Sequence, residues 1–133
     1  MRAAILFLRA ALVALASLVP IGPAAAAGIE LVMVEQTGCQ YCARWNAEIA
    51  PIYDKTPEGA FAPLRRVDLR GPDLDGLGLD RRVIFTPTFV LLDTGGHELA
   101  RLEGYPGEDF FWGLLEKMLV EHTDYSAPQE TGG

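Results

Sequence analysis

Between Glu35 and Tyr41 the hydrophobic pattern of this chain changes period. The only two cysteines, Cys39 and Cys42, stand at the change. Before it, "GIELVMVE" (Gly28–Glu35) is a short apolar run rich in β-branched residues, as in a buried strand. After it, Cys42, Trp45, Ile49 and Ile52 recur at i, i+3, i+7 and i+10, one face of a helix that Pro51 should end or kink. Thr37-Gly38 supplies the turn. "LRRVDL" (Leu64–Leu69) then reads as a second strand with Arg65, Arg66 and Asp68 as polar positions. A strand–helix–strand run of this kind closes as a right-handed parallel crossover.

The remaining pattern completes a sheet. "KTPEGAFAP" (Lys55–Pro63) reads as a loop. "GPDLDGLGLDRR" (Gly71–Arg82) is turn-rich, with one short helix expected near Leu74–Arg82 despite its glycines and Pro72. "PTFVLLD" (Pro87–Asp93) is the clearest strand, and "TGGHE" (Thr94–Glu98) a hairpin turn in which Gly95 and Gly96 can take positive φ. "ELARLEGY" (Glu98–Tyr105) alternates as a half-exposed edge strand. "GEDFFWGLLEKMLVEH" (Gly107–His122) is an amphipathic helix, with Glu108 and Asp109 suiting the dipole of its first turn. Its apolar side is expected to hold Phe110, Leu114 and Met118 with Phe111, Leu115 and Val120. The order β-α-β-α-β-β-α predicts an α/β fold, a mixed four-stranded sheet flanked by helices.

The two ends fall outside that domain. Arg2 and Arg9 flank the start of an apolar segment running to Val19. Pro20, Gly22 and Pro23 follow, then alanines at 24–27. Charged, apolar and small-residue regions in that order are a secretory signal peptide over residues 1–27. Kept rather than cleaved, it would serve as an anchor, for which its apolar run is short. Residues 28–122 are the domain, and 123–133 a polar, flexible tail. Removal of Arg2 and Arg9 leaves 11 − 2 = 9 basic residues against 18 acidic ones. So acidic a chain is a poor ligand for nucleic acid or anionic membrane. Export to the periplasm places the cysteines where disulfides persist.

Four roles compete for the cysteine pair. A c-type haem tether needs C-x-x-C-H, and position 43 is Ala. Zinc needs further ligands, and the chain offers only His97, in a hairpin turn, and His122, at a helix end, so no metal is expected. A structural disulfide across so short a loop removes little chain entropy. The redox role has a mechanism. Cys39 falls at a helix N-terminus, where unsatisfied N–H groups and the dipole favour its thiolate. Cys42, one turn in, points toward the apolar face beside Trp45. An exposed attacker beside a sheltered resolver is what dithiol exchange requires.

With "CQYC" at Cys39–Cys42 and "FTPTFVLL" at Phe85–Leu92, the sequence resembles the thioredoxin superfamily across nearly all of Ile29–His122. The resemblance implies a minimal thioredoxin-like fold. It also implies a cis-proline at Thr86-Pro87 opposite the sulfurs, and substrate backbone laid beside that proline like an added strand. It marks Cys39 as nucleophile and Cys42 as resolving thiol. Thr86, Pro87, Gln40, Tyr41 and Gly104 are the substrate-contacting positions, Gly104 leaving room near the active site. No cofactor is expected, and a monomer is.

Departures qualify the match. Gly38 stands where many thioredoxins have Trp, Gln40-Tyr41 replaces Gly-Pro, and Met33 occupies the place of a buried Asp; Glu35 nearby reads as a solvated strand-end carboxylate. Isomerases generally carry a dimerisation domain, and periplasmic oxidases a helical insertion; neither is present here. Reduction of protein disulfides is therefore the leading function, with oxidase or isomerase activity, or a non-catalytic binding module or chaperone, as alternatives. "VEQTGCQYCARWNAEIAPIY" and "APLRRVDLR" most resemble small periplasmic thioredoxins encoded with bacterial thiosulfate-oxidation systems. That likeness implies a sulfur-carrier protein as substrate and a membrane thiol–disulfide transporter as electron donor.

Overall fold

The computed structural model describes residues 28–129. The expected leader (1–27) and the last residues of the tail lie outside them. Four strands, β1 (Glu30–Glu35), β2 (Leu64–Asp68), β3 (Thr88–Leu92) and β4 (Glu98–Glu103), form one sheet in the order β2-β1-β3-β4. β1 pairs parallel with β2 and antiparallel with β3, and β3 pairs antiparallel with β4. The ends of β1 and β4 and the start of β3 therefore meet at one end of the sheet, with Val34, Thr88 and Glu103 side by side. β1 and β3 are central and apolar on both faces, hence their continuous apolar sequences.

Among the described residues four α-helices accompany the sheet: α1 (Gln40–Glu48), α2 (Ala50–Tyr53), α3 (Pro57–Phe61) and α4 (Glu108–His122). The predicted kink comes at Ile49, just before Pro51, and shifts the phase of the apolar stripe. Tyr53 is buried, and Ile52, expected inside, is exposed. α3 lies where a loop was expected. Thr56 caps it, its Oγ1 accepting from the Gly59 N–H at 3.1 Å, and Pro57 takes the first helical position, where a missing N–H costs nothing. The helix expected near Leu74–Arg82 does not form; Pro72–Leu74 makes a single 3-10 turn, and the rest is irregular. Of the two hairpin glycines, only Gly96 has positive φ.

The faces of the sheet are covered differently. Leu31, Met33, Phe89 and Leu91 pack under α1 and α4, against Cys42, Trp45, Phe111 and Leu115. On the opposite face Val32, Val34, Val67, Val90 and Leu92 lie under segment 69–83, whose Leu69, Leu74, Leu77 and Leu79 are only half-buried. α4 turns differently from its expected side: Phe111, Leu115, Met118 and Leu119 are buried, whereas Phe110, Leu114 and Val120 are exposed. The tail does not leave the surface at once, since Tyr125 is buried with its ring 5.1 Å from that of Phe61.

A bulge in β4 rearranges its alternation. Leu91 faces Ala100 but Leu92 faces Glu98, so Leu99 is the extra residue. The slip puts Glu98 and Arg101 on the same face, where they pair at 2.5 Å with side chains 3% and 4% exposed. Arg101 also donates to the carbonyls of Arg81 (2.8 Å) and Arg82 (3.3 Å), and Glu98 accepts from the Asp80 N–H at 2.9 Å. Burial pushes the Glu98 carboxyl up, but the Arg101 and Asp80 hydrogen bonds outweigh it and hold it below its usual range. This pair fixes the strand of chain that runs on to Pro87.

Candidate active site

Cys39 and Cys42 are joined by a disulfide, their Cα atoms 5.2 Å apart. Gly38, with φ +81°, makes the turn that follows β1 and is a conformation other residues rarely adopt. Cys39 is the N-cap of α1, with extended backbone, and its Sγ accepts from the Cys42 N–H at 3.1 Å. A sulfur in that position serves as the capping acceptor that a Ser or Asp oxygen usually provides. Cys39 is half-buried. Cys42 is 3% exposed and belongs to the aromatic core beside Trp45. The sequence placed both sulfurs correctly because the helical period fixes which one faces inward.

The other expected site residues converge on the same end of the sheet. The Thr86–Pro87 peptide bond is cis, and Pro87 is buried. The Gln36 amide donates to Thr86 Oγ1 at 2.9 Å, joining the end of β1 to the proline loop. The Thr88 hydroxyl donates to the Phe85 carbonyl at 2.6 Å, and the Gly104 N–H to the Pro87 carbonyl at 2.7 Å. Gly104 has φ +86°, and a Cβ there would meet nothing within 4 Å. It keeps open space beside the site, and its backbone conformation also favours glycine. Tyr41, exposed, lines a groove of about 490 Å³ with Gly104, Leu102 and Leu114. Gln40 is exposed on the first turn of α1. His97 and His122 are exposed, His97 in the β3–β4 turn at the opposite end of the sheet from Pro87 and His122 at the C-terminal end of α4.

Two supports were not anticipated. Arg44, Glu48 and Tyr105 form a triad that ties α1 to the segment after β4. Arg44 Nε meets Glu48 Oε1 at 2.9 Å, the Tyr105 hydroxyl donates to Glu48 Oε2 at 2.5 Å, and the Arg44 guanidinium lies 5.7 Å from the Tyr105 ring centroid. Hydrogen bonds from Tyr105 and Arg44 hold the Glu48 carboxyl below its usual range, while burial and the Glu48 carboxylate push the Tyr105 phenol up. The i, i+4 spacing of Arg44 and Glu48 was visible in the sequence; Tyr105 was not. The second support is beneath the site. Met33, in the central strand, is fully buried, and Arg66 lies over the Trp45 ring at 5.5 Å and pairs with Glu35 at 3.0 Å. Glu35 is thus an ion-paired carboxylate at the strand end, on the α1 side.

A half-buried sulfur at a helix N-terminus, a sheltered one a turn inside and a proline loop beside them define a thioredoxin-like protein. The chain belongs to that family: the model of the thioredoxin-like domain matches residues 27–119. Among solved structures it resembles the periplasmic thioredoxin SoxS from Paracoccus pantotrophus. Identity is 56% over 70% of this chain and 97% of that one, with a TM-score of 0.66. A thioredoxin from Thermus thermophilus is 25% identical over 71% of this chain and 76% of that one, with a TM-score of 0.52. A thioredoxin-fold protein from Helicobacter pylori, 18% identical, shares the fold with a TM-score of 0.56, covering 75% of this chain and 74% of its own. No curated protein matches the chain.

Proposed function

We propose that this protein is a thiol–disulfide oxidoreductase of the periplasm that reduces disulfides in exported partner proteins. The unequal burial of the two sulfurs carries the reading: Cys39 is half-buried at the N-cap of α1, and Cys42 is 3% exposed. In the dithiol form the Cys39 thiolate attacks a partner disulfide. One S–S bond forms, one breaks, and the partner's first sulfur leaves as a thiolate. Cys42, losing its proton, attacks Cys39 and releases the partner's second sulfur. Two electrons and two protons pass to the partner, and the Cys39–Cys42 disulfide remains.

Thr86, Pro87, Gln40, Tyr41 and Gly104 hold the partner's chain against the sulfurs in this reading. A periplasmic location is supported by the signal-like leader and by the periplasmic relative at 56% identity. The finer assignment rests on the sequence resemblance to thioredoxins of thiosulfate-oxidation systems. In it a sulfur-carrier protein is the substrate, and a membrane thiol–disulfide transporter returns the electrons.

Trapping tests the proposal. A Cys42→Ser protein, exported in a Gram-negative host, should accumulate mixed disulfides through Cys39, and Cys39→Ser should not. Dithiothreitol-driven insulin reduction should be lost in Cys39→Ser. Insulin reduction unchanged by Cys39→Ser would favour a binding module. Capture of newly exported, disulfide-forming proteins in bulk would favour an oxidase.

A further inference from the structure

The sheet face under segment 69–83 leaves a groove of about 650 Å³. Its floor is apolar: Leu69, Leu74, Leu77 and Leu79 line it without being fully buried. Its charge is unusual for this chain. The sequence carries a net −7, yet three arginines (Arg70, Arg81, Arg82) line the groove against one carboxylate, Asp75.

The pairing of these cations is more telling. Six of the nine Lys/Arg residues in the described chain lie within 4 Å of a carboxylate; Lys55, Arg70 and Arg82 do not. Two of those three line this one groove. Arg82 is held through its backbone, whose carbonyl accepts from the buried Arg101, so the exposed guanidinium is presented on a fixed segment. Arg81 is engaged with Glu103 at 3.0 Å.

The groove is continuous with the active site. At one end the Leu69 N–H donates to the Glu35 carbonyl at 2.8 Å, just before the turn to Cys39. At the other, Ile84 lines the groove and Phe85 leads into Thr86-Pro87. Both are large apolar residues, 73% and 58% exposed. A strip of exposed apolar surface thus runs from the disulfide end of the sheet into a pocket bearing two arginines with no carboxylate within 4 Å.

We infer that this groove is a docking site for an acidic segment of the partner protein, adjacent to its reducible disulfide, with an apolar residue on Ile84 and Phe85 and carboxylates facing Arg70 and Arg82. The inference rests on the reductase reading for what is bound and adds which partners are chosen. An acidic protein that recognised partners through its overall field would prefer basic ones; this groove selects the opposite charge locally.

The test uses two synthetic cysteine peptides capped as mixed disulfides with thionitrobenzoate, identical except for glutamate or lysine flanks. Mixed in single turnover, the reduced protein, itself the two-electron donor and left as the Cys39–Cys42 disulfide, should release thionitrobenzoate from the glutamate peptide about tenfold faster at low ionic strength. The preference should fade as salt shortens the screening length from about 30 Å at 0.01 M to about 3 Å at 1 M. The Arg70→Glu/Arg82→Glu double variant should reverse the preference while reducing uncharged glutathione-free small disulfides such as hydroxyethyl disulfide as the wild type does. Equal turnover of the two peptides, a lysine preference in the wild type, or a glutamate preference surviving the double variant would overturn the inference. Fluorescence anisotropy with serine versions of both peptides on the oxidised protein reads the groove without redox chemistry. Selective binding of the glutamate peptide there, without hydroxyethyl disulfide reduction, would uphold the groove and sink the reductase reading instead.

Discussion

The two faces of the sheet are built to different specifications. The α1/α4 face is aromatic and closed: the Trp45 ring lies 5.3 Å from Phe89 and 5.8 Å from Phe111, and Phe89 lies 5.0 Å from Phe111. The opposite face has a smaller aliphatic core under an irregular segment of half-buried leucines. Interlocked rings leave few alternative packings, so α1, and with it Cys42, is held in one place. The loop-covered face gives up that density and gains an open groove beside the proline loop. The cysteine pair sits on the rigid side, and the open groove on the other.

Mutation should expose the contrast. Trp45→Ala removes the centre of the aromatic cluster and should cost about 3–5 kcal/mol. Val90→Ala, on the opposite face of the same sheet, deletes two buried carbons at about 0.8 kcal/mol each and should cost about 2 kcal/mol once the small cavity is included. Urea midpoints of the oxidised proteins compare them directly. Equal losses would mean that the two faces are equally well packed.

The Glu98–Arg101 pair is where the loop-covered face is held firmly. Glu98→Gln should cost about 1.5–3 kcal/mol at neutral pH, as for hydrogen bonds to charged groups. Because the folded carboxyl titrates below its ordinary 4.5, its contribution is full above that pH and is lost as pH falls through the folded value. The stability gap between wild type and variant should therefore close below pH 4.5; a gap independent of pH down to acid would contradict the pairing. The smallest effect is on the α1 side. Tyr105→Phe should let the Glu48 carboxyl titrate closer to its ordinary value, as read by NMR, with α1 otherwise in place.

Sequence alone carried the four strands, their mixed sheet, the first and last helices and the place of the cysteine pair at the start of α1, because strand and helix periods and the C-x-x-C spacing are local signals. It failed where phase or burial depends on distant contacts. α4 has more apolar residues than one face can hold, so which of Phe110 and Phe111 turns inward is decided by how the helix enters after Gly107. Ile52 and Tyr53 exchanged places because the break at Ile49 resets the stripe. Arg101 looked like an edge-strand charge, and nothing local announces the bulge at Leu99 that buries it against Glu98. α3 was read as a loop although its start is local: Thr56 caps the helix and Pro57 takes its first position, a signal outweighed by the surrounding prolines and Gly59. Gln36 and Tyr105, which brace the site, have partners about 50 residues away or more and leave no trace in the local pattern.

α1 makes the two cysteines unequal, one at the helix N-terminus and half-buried, one sheltered in the aromatic core. Pulse alkylation of the fully reduced protein with iodoacetamide, followed by peptide mass mapping across pH, measures that inequality directly. Cys39 should be modified first, at pH values well below those needed for a free thiol, and Cys42 should stay protected until the protein is unfolded. Modification of Cys42 first, or of both at equal rates in the native protein, would contradict it.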